Sequence, residues 1–192
     1  MNDRSDVPRL SILLPYRDAA TTLEECLASI GAQHCDDFEL LAVNDGSVDA
    51  SAQIVGDHAS VDRRIRRLDS PQPGLVAALN HGLAAARAAL VVRMDADDRM
   101  HPERLGRQLV HLQENPALTL SASRVRAFPE EHLRAGLREY LRWQNACLTP
   151  RELAEEIYVE APLAHPSVAF RRDAVLAAGG YRHGPFPEDY EL

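Results

Sequence analysis

The chain has few cysteines and lacks any long apolar run, and both features limit what it can be. Its three cysteines, Cys26, Cys35 and Cys147, form an odd, widely spaced set. Such a set argues against a disulfide framework and against a zinc site. No apolar run approaches the roughly 20 residues needed to cross a bilayer, and the N-terminus carries no apolar signal segment. We therefore expect a cytoplasmic protein without a transmembrane segment, although peripheral membrane contact stays compatible with the sequence.

Basic charge is also scarce. The chain has 21 Lys and Arg against 29 Asp and Glu, which gives a formal net charge of −8. This balance argues against a nucleic-acid partner, whose backbone favours basic surfaces. An acidic protein that binds phosphates needs local help, from a metal ion or from helix N-termini. The length of 192 residues suits a single domain.

Apolar segments and helical patterns alternate along the first two thirds of the chain. This alternation predicts an α/β fold with a mostly parallel, doubly wound sheet and helices on both faces. In such sheets ligands bind at the carboxyl ends of the strands. The predicted strands are 10–14, 38–43, 65–68, 90–94 and 118–122, and the predicted helices begin near Leu23, Asp49, Leu75 and Pro102.

The last third is less regular. Residues 124–150 show no clear element, and a capping-box pattern at Thr149–Glu152 predicts a helix to about residue 158. A second such pattern, at Thr21–Glu24, predicts the start of the first helix. An extended segment at 167–170 and a helix at 171–178, closed by two glycines, follow.

The acidic turn Asp95-Ala96-Asp97-Asp98 is the most informative motif. It places three carboxylates directly after a buried strand. Their mutual repulsion grows as the site is desolvated, and a bound cation relieves it. Mg²⁺ and Mn²⁺ prefer carboxylate and phosphate oxygens. A solvated acidic loop is the plain alternative, and the motif alone does not decide between the two.

Two further acidic motifs have plain structural readings beside functional ones. Asp45 follows the second strand, where its carboxylate could accept from a base imide or a ribose hydroxyl. Asp49, in the same turn, is better explained as a helix cap. Glu188 and Asp189 could supply a general base for an acceptor hydroxyl. Their composition alone favours a helix N-terminus instead.

Taken together, these motifs resemble the family-2 glycosyltransferases of the GT-A fold. The resemblance rests on five segments in order, LSILLPYRDAATTLEECLASI, FELLAVNDGSVD, PGLVAALNHGLAAA, VVRMDADDRMHPERLGRQL and HPSVAFRRDAVLAAGGY, followed by FPEDYEL. It covers nearly the whole chain. Asn44, Leu79 and the Tyr16-Arg17 pair depart from the family's pattern.

The resemblance implies an inverting transfer of sugar from a nucleoside-diphosphate sugar, expected to be a UDP-sugar, to a carbohydrate or lipid-linked acceptor. Asp189, with Glu188 beside it, would be the catalytic base. Asp95, Asp97 and Asp98 would hold Mn²⁺ or Mg²⁺. The nucleotide-sugar would contact a further set of residues, namely Pro15, Tyr16, Arg17, Asp45, Asn80, Asp95 and Ala96.

The expected organisation is one catalytic domain over 1–192. Residues 8–122 would form its nucleotide-sugar half and 123–192 an acceptor half that is incomplete at the C-terminus. Two alternatives stay open. One is a nucleotide-binding domain without turnover. The other is a sugar nucleotidyltransferase, which should carry a Gly-rich, basic loop after the first strand, where this chain has Pro15-Tyr16-Arg17-Asp18.

Overall fold

A computed structural model describes residues 7–184 and 188. Within them a single six-stranded sheet forms the centre. The first, second and fourth strands are almost entirely buried, whereas the third, IRRLD, is partly exposed and carries charged residues. The strands are β1 (Leu10–Tyr16), β2 (Phe38–Asn44), β3 (Ile65–Asp69), β4 (Leu90–Arg93), β5 (Leu120–Ala122) and β6 (Val168–Arg171).

Helices connect the strands, and most of them pack an apolar face against the sheet. Those of the first two thirds are α1 (Leu23–Gly31), α2 (Ser51–Val61), α3 (Leu75–Ala85) and α4 (Arg104–Glu114). The last third adds α5 (Ala135–Gln144), α6 (Pro150–Glu156) and α7 (Arg172–Ala177), with 3₁₀ turns at Glu130–His132 and His165–Ser167. No helix in the described part of the chain combines the length and apolar character that a membrane crossing requires.

The strand order is β3-β2-β1-β4-β6-β5. The first four strands are parallel, and β6 lies antiparallel between β4 and β5. The chain therefore leaves β1 in one direction for β2 and β3, and returns to its other side for β4. The crevice outside the carboxyl ends of β1 and β4 is a topological switch point, where open α/β sheets bind ligands.

Two apolar cores lie on opposite faces of this sheet. One includes buried residues of α1, α2 and α4, such as Leu27, Val55 and Leu109. The other includes buried residues of α3 and α7, such as Leu79 and Val175. Alternate strand residues face each core, as the period of two requires. The predicted α/β class, with a mostly parallel sheet and helices on both faces, is confirmed.

The local predictions agree with the structure in part. The capping box at Thr149 is present, with reciprocal bonds between Thr149 and Glu152. The one predicted at Thr21–Glu24 is wrong, because Thr22 is the N-cap and forms no side-chain cap bond. Its hydroxyl instead donates to the Ala19 carbonyl. The segment 124–150 shows no clear element in the sequence, yet it contains α5.

Candidate active site

The acidic turn follows β4 at the carboxyl edge of the sheet. The Met94 N–H donates to the Leu13 carbonyl at 3.1 Å, so β4 stays against β1 up to the turn. Carboxylate oxygens of the three aspartates, one from each, lie within 4.8 Å of one another. Asp97 is exposed, and Asp95 and Asp98 are partly buried. The predicted cluster is therefore assembled at the switch point.

Two buried arginines lie behind this turn, and the sequence analysis missed both. Arg93 is 1% exposed, and its Nη2 contacts Asp95 Oδ1 at 2.5 Å. Arg104, on α4, donates to the carbonyls of Arg93 and Val168 at 3.0 and 3.3 Å. A charged residue inside the apolar strand LVVR was the available signal for Arg93. These cations neutralise only part of the acidic cluster, since Asp95 alone among its carboxylates contacts one.

The pKa of Asp98 reflects the uncompensated charge. Burial raises the pKa of this carboxyl to about 6, and the charges of Asp95 and Asp97 add to the rise, against the lowering effect of Arg104 and Arg93. Burial, followed by the charges of Asp98, Asp95 and Asp97, raises the pKa of the Cys26 thiol to about 12. A cation that entered the turn would remove this repulsion. The donor set, three carboxylates, fits Mg²⁺ or Mn²⁺.

Side chains from the region of α1 fix the backbone around the turn. The Cys26 thiol donates to the Asp95 carbonyl at 3.3 Å, and the Ser29 hydroxyl accepts from the Met100 N–H at 2.9 Å. Gln33, just after α1, donates to the His101 carbonyl and accepts from the Leu105 N–H. Buried backbone groups need such partners. These contacts hold the acidic turn against α1, and the sequence analysis predicted none of them.

Asp45 lies at the same edge of the sheet, after β2. Its Oδ1 accepts from the Gly74 N–H at 2.7 Å, and its Oδ2 faces the Arg17 guanidinium at 3.9 Å. Gly74 has φ 118°, a conformation that favours glycine. Arg17, Asp45 and Gly74 thus meet outside the carboxyl ends of β1 and β2. Contact with a nucleotide stays a prediction for Arg17 and Asp45.

The loops after β1 and β2 are bound to each other. The Asp49 carboxylate accepts from the N–H groups of Ser51 and Ala20 at 2.9 and 3.0 Å. The Ser51 hydroxyl accepts from the Ala19 N–H at 2.8 Å. Asp49 therefore bonds the first N–H of α2 and ties the two loops together, although the N-cap position itself is Ala50.

Other predicted nucleotide contacts have different surroundings. Pro15 and Tyr16 end β1, and both are buried. Burial, with the charge of Asp69, raises the pKa of the Tyr16 phenol to about 12. Ala96 is 9% exposed and lies within the acidic turn. For all three, contact with a ligand stays a prediction.

Asn80 has both ends of its side-chain amide engaged. Its Nδ2 donates to the Tyr181 carbonyl at 2.8 Å, and its Oδ1 accepts from the Tyr181 N–H at 2.9 Å. Gly180, beside it, has φ 69°, and a Cβ there would lie 2.6 Å from Asn80 Oδ1. The observed role of Asn80 is to fix this segment against α3, and its contact with a nucleotide-sugar stays a prediction.

The predicted base, Asp189, lies outside the described residues, whereas Glu188 is described. Glu188 Oε1 lies 3.6 Å from Nδ1 of His165, whose Nε2 is 3.1 Å from the Tyr181 hydroxyl. Burial, with the charge of Arg93, lowers the pKa of His165 to about 3. The imidazole is therefore neutral, and its contact with Glu188 is polar rather than ionic. His165 had no role in the sequence analysis.

Comparison with known proteins gives the family. The model of glycosyl transferase family 2 matches residues 11–177. The amylovoran biosynthesis glycosyltransferase AmsE of Erwinia amylovora is 31% identical over 182 residues, which cover 94% of this chain and 66% of that protein. The putative glycosyltransferase EpsH of Bacillus subtilis is 35% identical over 98 residues, 51% of this chain and 28% of that protein. The chain therefore spans less than two thirds of the length of these relatives.

Solved structures agree in fold. The mannosyltransferase PcManGT of Pyrobaculum calidifontis, in complex with GDP-Man and Mn²⁺, matches with a TM-score of 0.71 at 21% identity, covering 97% of this chain and 51% of that one. Residues 1–349 of TarS from S. aureus, in complex with UDP-GlcNAc, match with a TM-score of 0.74 at 18% identity, covering 95% and 51%. At these identities the likeness is one of fold, the GT-A fold. With the family model matching most of its length, the chain belongs to glycosyl transferase family 2.

Proposed function

We propose that this chain catalyses inverting transfer of a sugar from a nucleoside-diphosphate sugar to an acceptor hydroxyl, assisted by a divalent metal ion. The observation that carries the proposal is the acidic turn. Its three carboxylates converge within 4.8 Å at the switch point of the sheet, and the pKa of Asp98 is raised to about 6. A protein gains nothing in stability from such repulsion, and a cation bound during function accounts for it.

Asp95, Asp97 and Asp98 would hold the ion, Mn²⁺ or Mg²⁺. When bound, the ion would act as a Lewis acid on the diphosphate leaving group and orient it. The Arg93 guanidinium fixes one oxygen of Asp95, which leaves its other oxygen for a ligand. The α1 side chains keep the turn backbone in place, so little reorganisation is needed when the donor binds.

The nucleoside would bind on the side of Asp45. Arg17 and Asp45 present a cation and a carboxylate at the ends of β1 and β2, where a base imide and ribose hydroxyls could be recognised. The TarS structure contains UDP-GlcNAc and the mannosyltransferase structure contains GDP-Man. We therefore expect the donor of this chain to be a nucleoside-diphosphate sugar. UDP is our choice among the nucleotides, since an aspartate at position 45 suits the uracil imide.

The transfer itself is one displacement. The acceptor oxygen forms a bond to the anomeric carbon, whose bond to the diphosphate oxygen breaks, and the electron pair leaves with the nucleoside diphosphate. Asp189 would take the acceptor proton. Glu188, beside His165, would orient this segment. Residues 8–122 would then bind the donor and 123–192 the acceptor.

Release of UDP from UDP-sugars, with Mn²⁺ and with or without sugar acceptors, tests the proposal directly. Asp189→Asn should leave UDP binding unchanged and lower UDP release by about 100-fold, since a general base contributes on that order. The exposed Asp173→Asn is the matched control. Release at the normal rate would show that the base lies elsewhere. Metal-dependent binding without any release from the unsubstituted chain would support a nucleotide-binding domain without turnover.

A further inference from the structure

A large cavity lies beside the acidic turn, on the side away from Asp45. Its volume is about 1120 Å³, and it extends from Asp98 along α4 to the segment after β5. That segment, residues 123–126, follows β5 in the direction of β4, so the cavity opens at the same edge of the sheet as the acidic turn. A volume of this size accommodates a sugar and its substituents.

The cavity is basic although the chain is acidic. Five arginines line it against two carboxylates, in a chain of net charge −8. The lining arginines are Arg99, Arg104, Arg107, Arg124 and Arg126, and the carboxylates are Asp98 and Glu103. Such a local reversal of charge is typical of a site for an anion.

Three of these arginines are already engaged by the protein. Arg99 pairs with Glu25, and Arg107 pairs with Glu103 at 2.6 Å. Arg104 is 8% exposed and binds backbone carbonyls. They contribute positive charge to the cavity, but each already has a partner within the protein.

Arg124 and Arg126 differ from the other three. Both are exposed at the cavity, and within residues 7–184 and 188 neither forms an ion pair. The residue between them, Val125, has its N–H and C=O bound by the Asn145 side chain at 2.8 and 2.7 Å. The backbone that carries the two guanidinium groups is therefore held in place. Paired guanidinium groups on a fixed backbone suit the oxygens of a phosphate or a carboxylate.

Ser167 supplies a second, independent observation. It lines the same cavity and is 3% exposed, and its Oγ is buried without a hydrogen-bond partner among the described residues. Buried hydroxyls in native proteins are nearly always bonded, so an unbonded one calls for an explanation. An oxygen of a bound ligand would accept from it.

We propose that the cavity binds the acceptor through an anionic group, a phosphate or a carboxylate, which Arg124 and Arg126 hold while Ser167 donates to another oxygen of the same molecule. The proposal rests on the proposed function, since it deepens the acceptor side of that reaction. We assign the cavity to the acceptor because the proposed nucleoside site lies at β1 and β2, across the acidic turn from the cavity.

The test uses three probes that differ at one carbon, namely glucose 6-phosphate, glucuronate and glucose. Each is titrated calorimetrically into the full chain without nucleotide or metal. We expect glucose 6-phosphate or glucuronate to bind and glucose not to bind. The stronger of the two anions identifies the group as phosphate or carboxylate. Failure of both anions to bind, or equal binding of glucose, would overturn the proposal.

Variants assign the binding to the cavity. Arg124→Gln with Arg126→Gln should lower the affinity for the anionic probe about tenfold or more, because a charged hydrogen bond is lost at each position. The matched control is Arg9→Gln with Arg63→Gln, which removes the same charge from exposed positions at the opposite edge of the sheet. An equal loss in this control would contradict the assignment. Arg124→Lys with Arg126→Lys should retain part of the affinity, since the charge remains.

Ser167→Ala separates a ligand contact from a structural role. Because the hydroxyl has no partner, its removal should leave the thermal midpoint unchanged or raise it slightly. The same change should lower the affinity for the anionic probe about threefold. Unchanged affinity would remove Ser167 from the site.

The two proposals fail separately. UDP binding with Mn²⁺ is measured on the same samples, and the Arg124→Gln with Arg126→Gln variant should retain it. In one outcome the unsubstituted chain binds the anion but not UDP, and the variant loses anion binding. This result would contradict the proposed function while leaving an anion site. UDP binding retained without any anion binding would sink the inference alone.

Discussion

Glu39 and Asp98 are acidic residues at opposite edges of the same sheet. Glu39 is 1% exposed and lies at the amino end of β2. Its carboxylate accepts from the Ser11 hydroxyl, from the Arg87 N–H and from the guanidinium groups of Arg66 and Arg87, all within 2.8 Å. Burial alone would raise its pKa, yet these bonds outweigh burial and hold the pKa below its usual value.

Asp98 has the opposite environment. It is partly exposed to solvent, whereas Glu39 is buried, but its pKa is raised to about 6, by burial first and then by Asp95 and Asp97. Arg104 and Arg93 lie nearby and only reduce the rise. The fold thus surrounds the Glu39 carboxylate with hydrogen-bond donors, whereas it places two further carboxylates beside Asp98. A carboxylate that is fully bonded stabilises the fold, whereas one left among like charges is suited to bind a cation.

The largest effect on stability is expected when the Glu39 carboxylate is removed. Glu39→Gln should lower the free energy of unfolding by about 2–4 kcal/mol, because it leaves Arg66 and Arg87 without their buried partner. Since the pKa of Glu39 is depressed in the folded state, its stabilisation is present above the usual value of 4.5 and lost as the pH falls below it. Denaturant unfolding at pH 7.5 and pH 4 measures both.

The exposed Glu114→Gln serves as its control and should leave stability unchanged. A Glu39→Gln protein as stable as the unsubstituted chain at pH 7.5 would show that the bonded network contributes nothing net.

A smaller effect of opposite sign is expected at Asp98. Its folded pKa is above its unfolded value, so ionised Asp98 destabilises the metal-free fold above about pH 6. Asp98→Asn should therefore raise the thermal midpoint in EDTA at pH 7.5 by about 2–4 °C, a value that allows for partial exposure. The gain should shrink as the pH falls towards 4.

In saturating Mn²⁺ with UDP the unsubstituted chain should have the higher thermal midpoint, because only it should gain stability from the ligands. If Asp98→Asn lowered the midpoint in EDTA, the carboxylate would be stabilising and the contrast with Glu39 would fail.

The smallest effect concerns how the turn is held. Gln33→Ala removes the bonds to the His101 carbonyl and the Leu105 N–H. We expect the Mn²⁺ concentration for half-maximal UDP binding to rise about threefold, while UDP affinity at saturating Mn²⁺ changes little. The exposed Gln53→Ala is the control. An unchanged Mn²⁺ requirement would make Gln33 a structural residue only.

The parts that the sequence predicted well are those set by local pattern. Buried β1 and β2 and the helix with Leu105, Leu109 and Leu112 follow from periodicity, and the acidic turn follows from its position after an apolar strand. The helix α5 was also readable, since Leu137, Tyr140, Leu141 and Gln144 recur at helical spacing among many charged residues. That charge obscured the pattern.

Other features depend on contacts between distant segments. The sequence predicts an extended segment at 167–170, but no local pattern shows that β6 runs antiparallel between β4 and β5. Arg93 and Arg104 are charged residues, which ordinarily lie at the surface. Only the tertiary fold reveals that both are buried behind the acidic turn. The Asn80 bond to Tyr181 likewise joins residues 101 positions apart.

The central claim is that the acidic turn binds a metal with a nucleotide. Calorimetric titration of UDP into the unsubstituted chain and into Asp97→Asn, each with Mn²⁺ and with EDTA, tests it most directly, and the exposed Asp57→Asn serves as control. The account predicts binding that requires Mn²⁺ in the unsubstituted chain and the control, and its loss in Asp97→Asn. Undiminished binding by Asp97→Asn, or equal binding in EDTA, would contradict it.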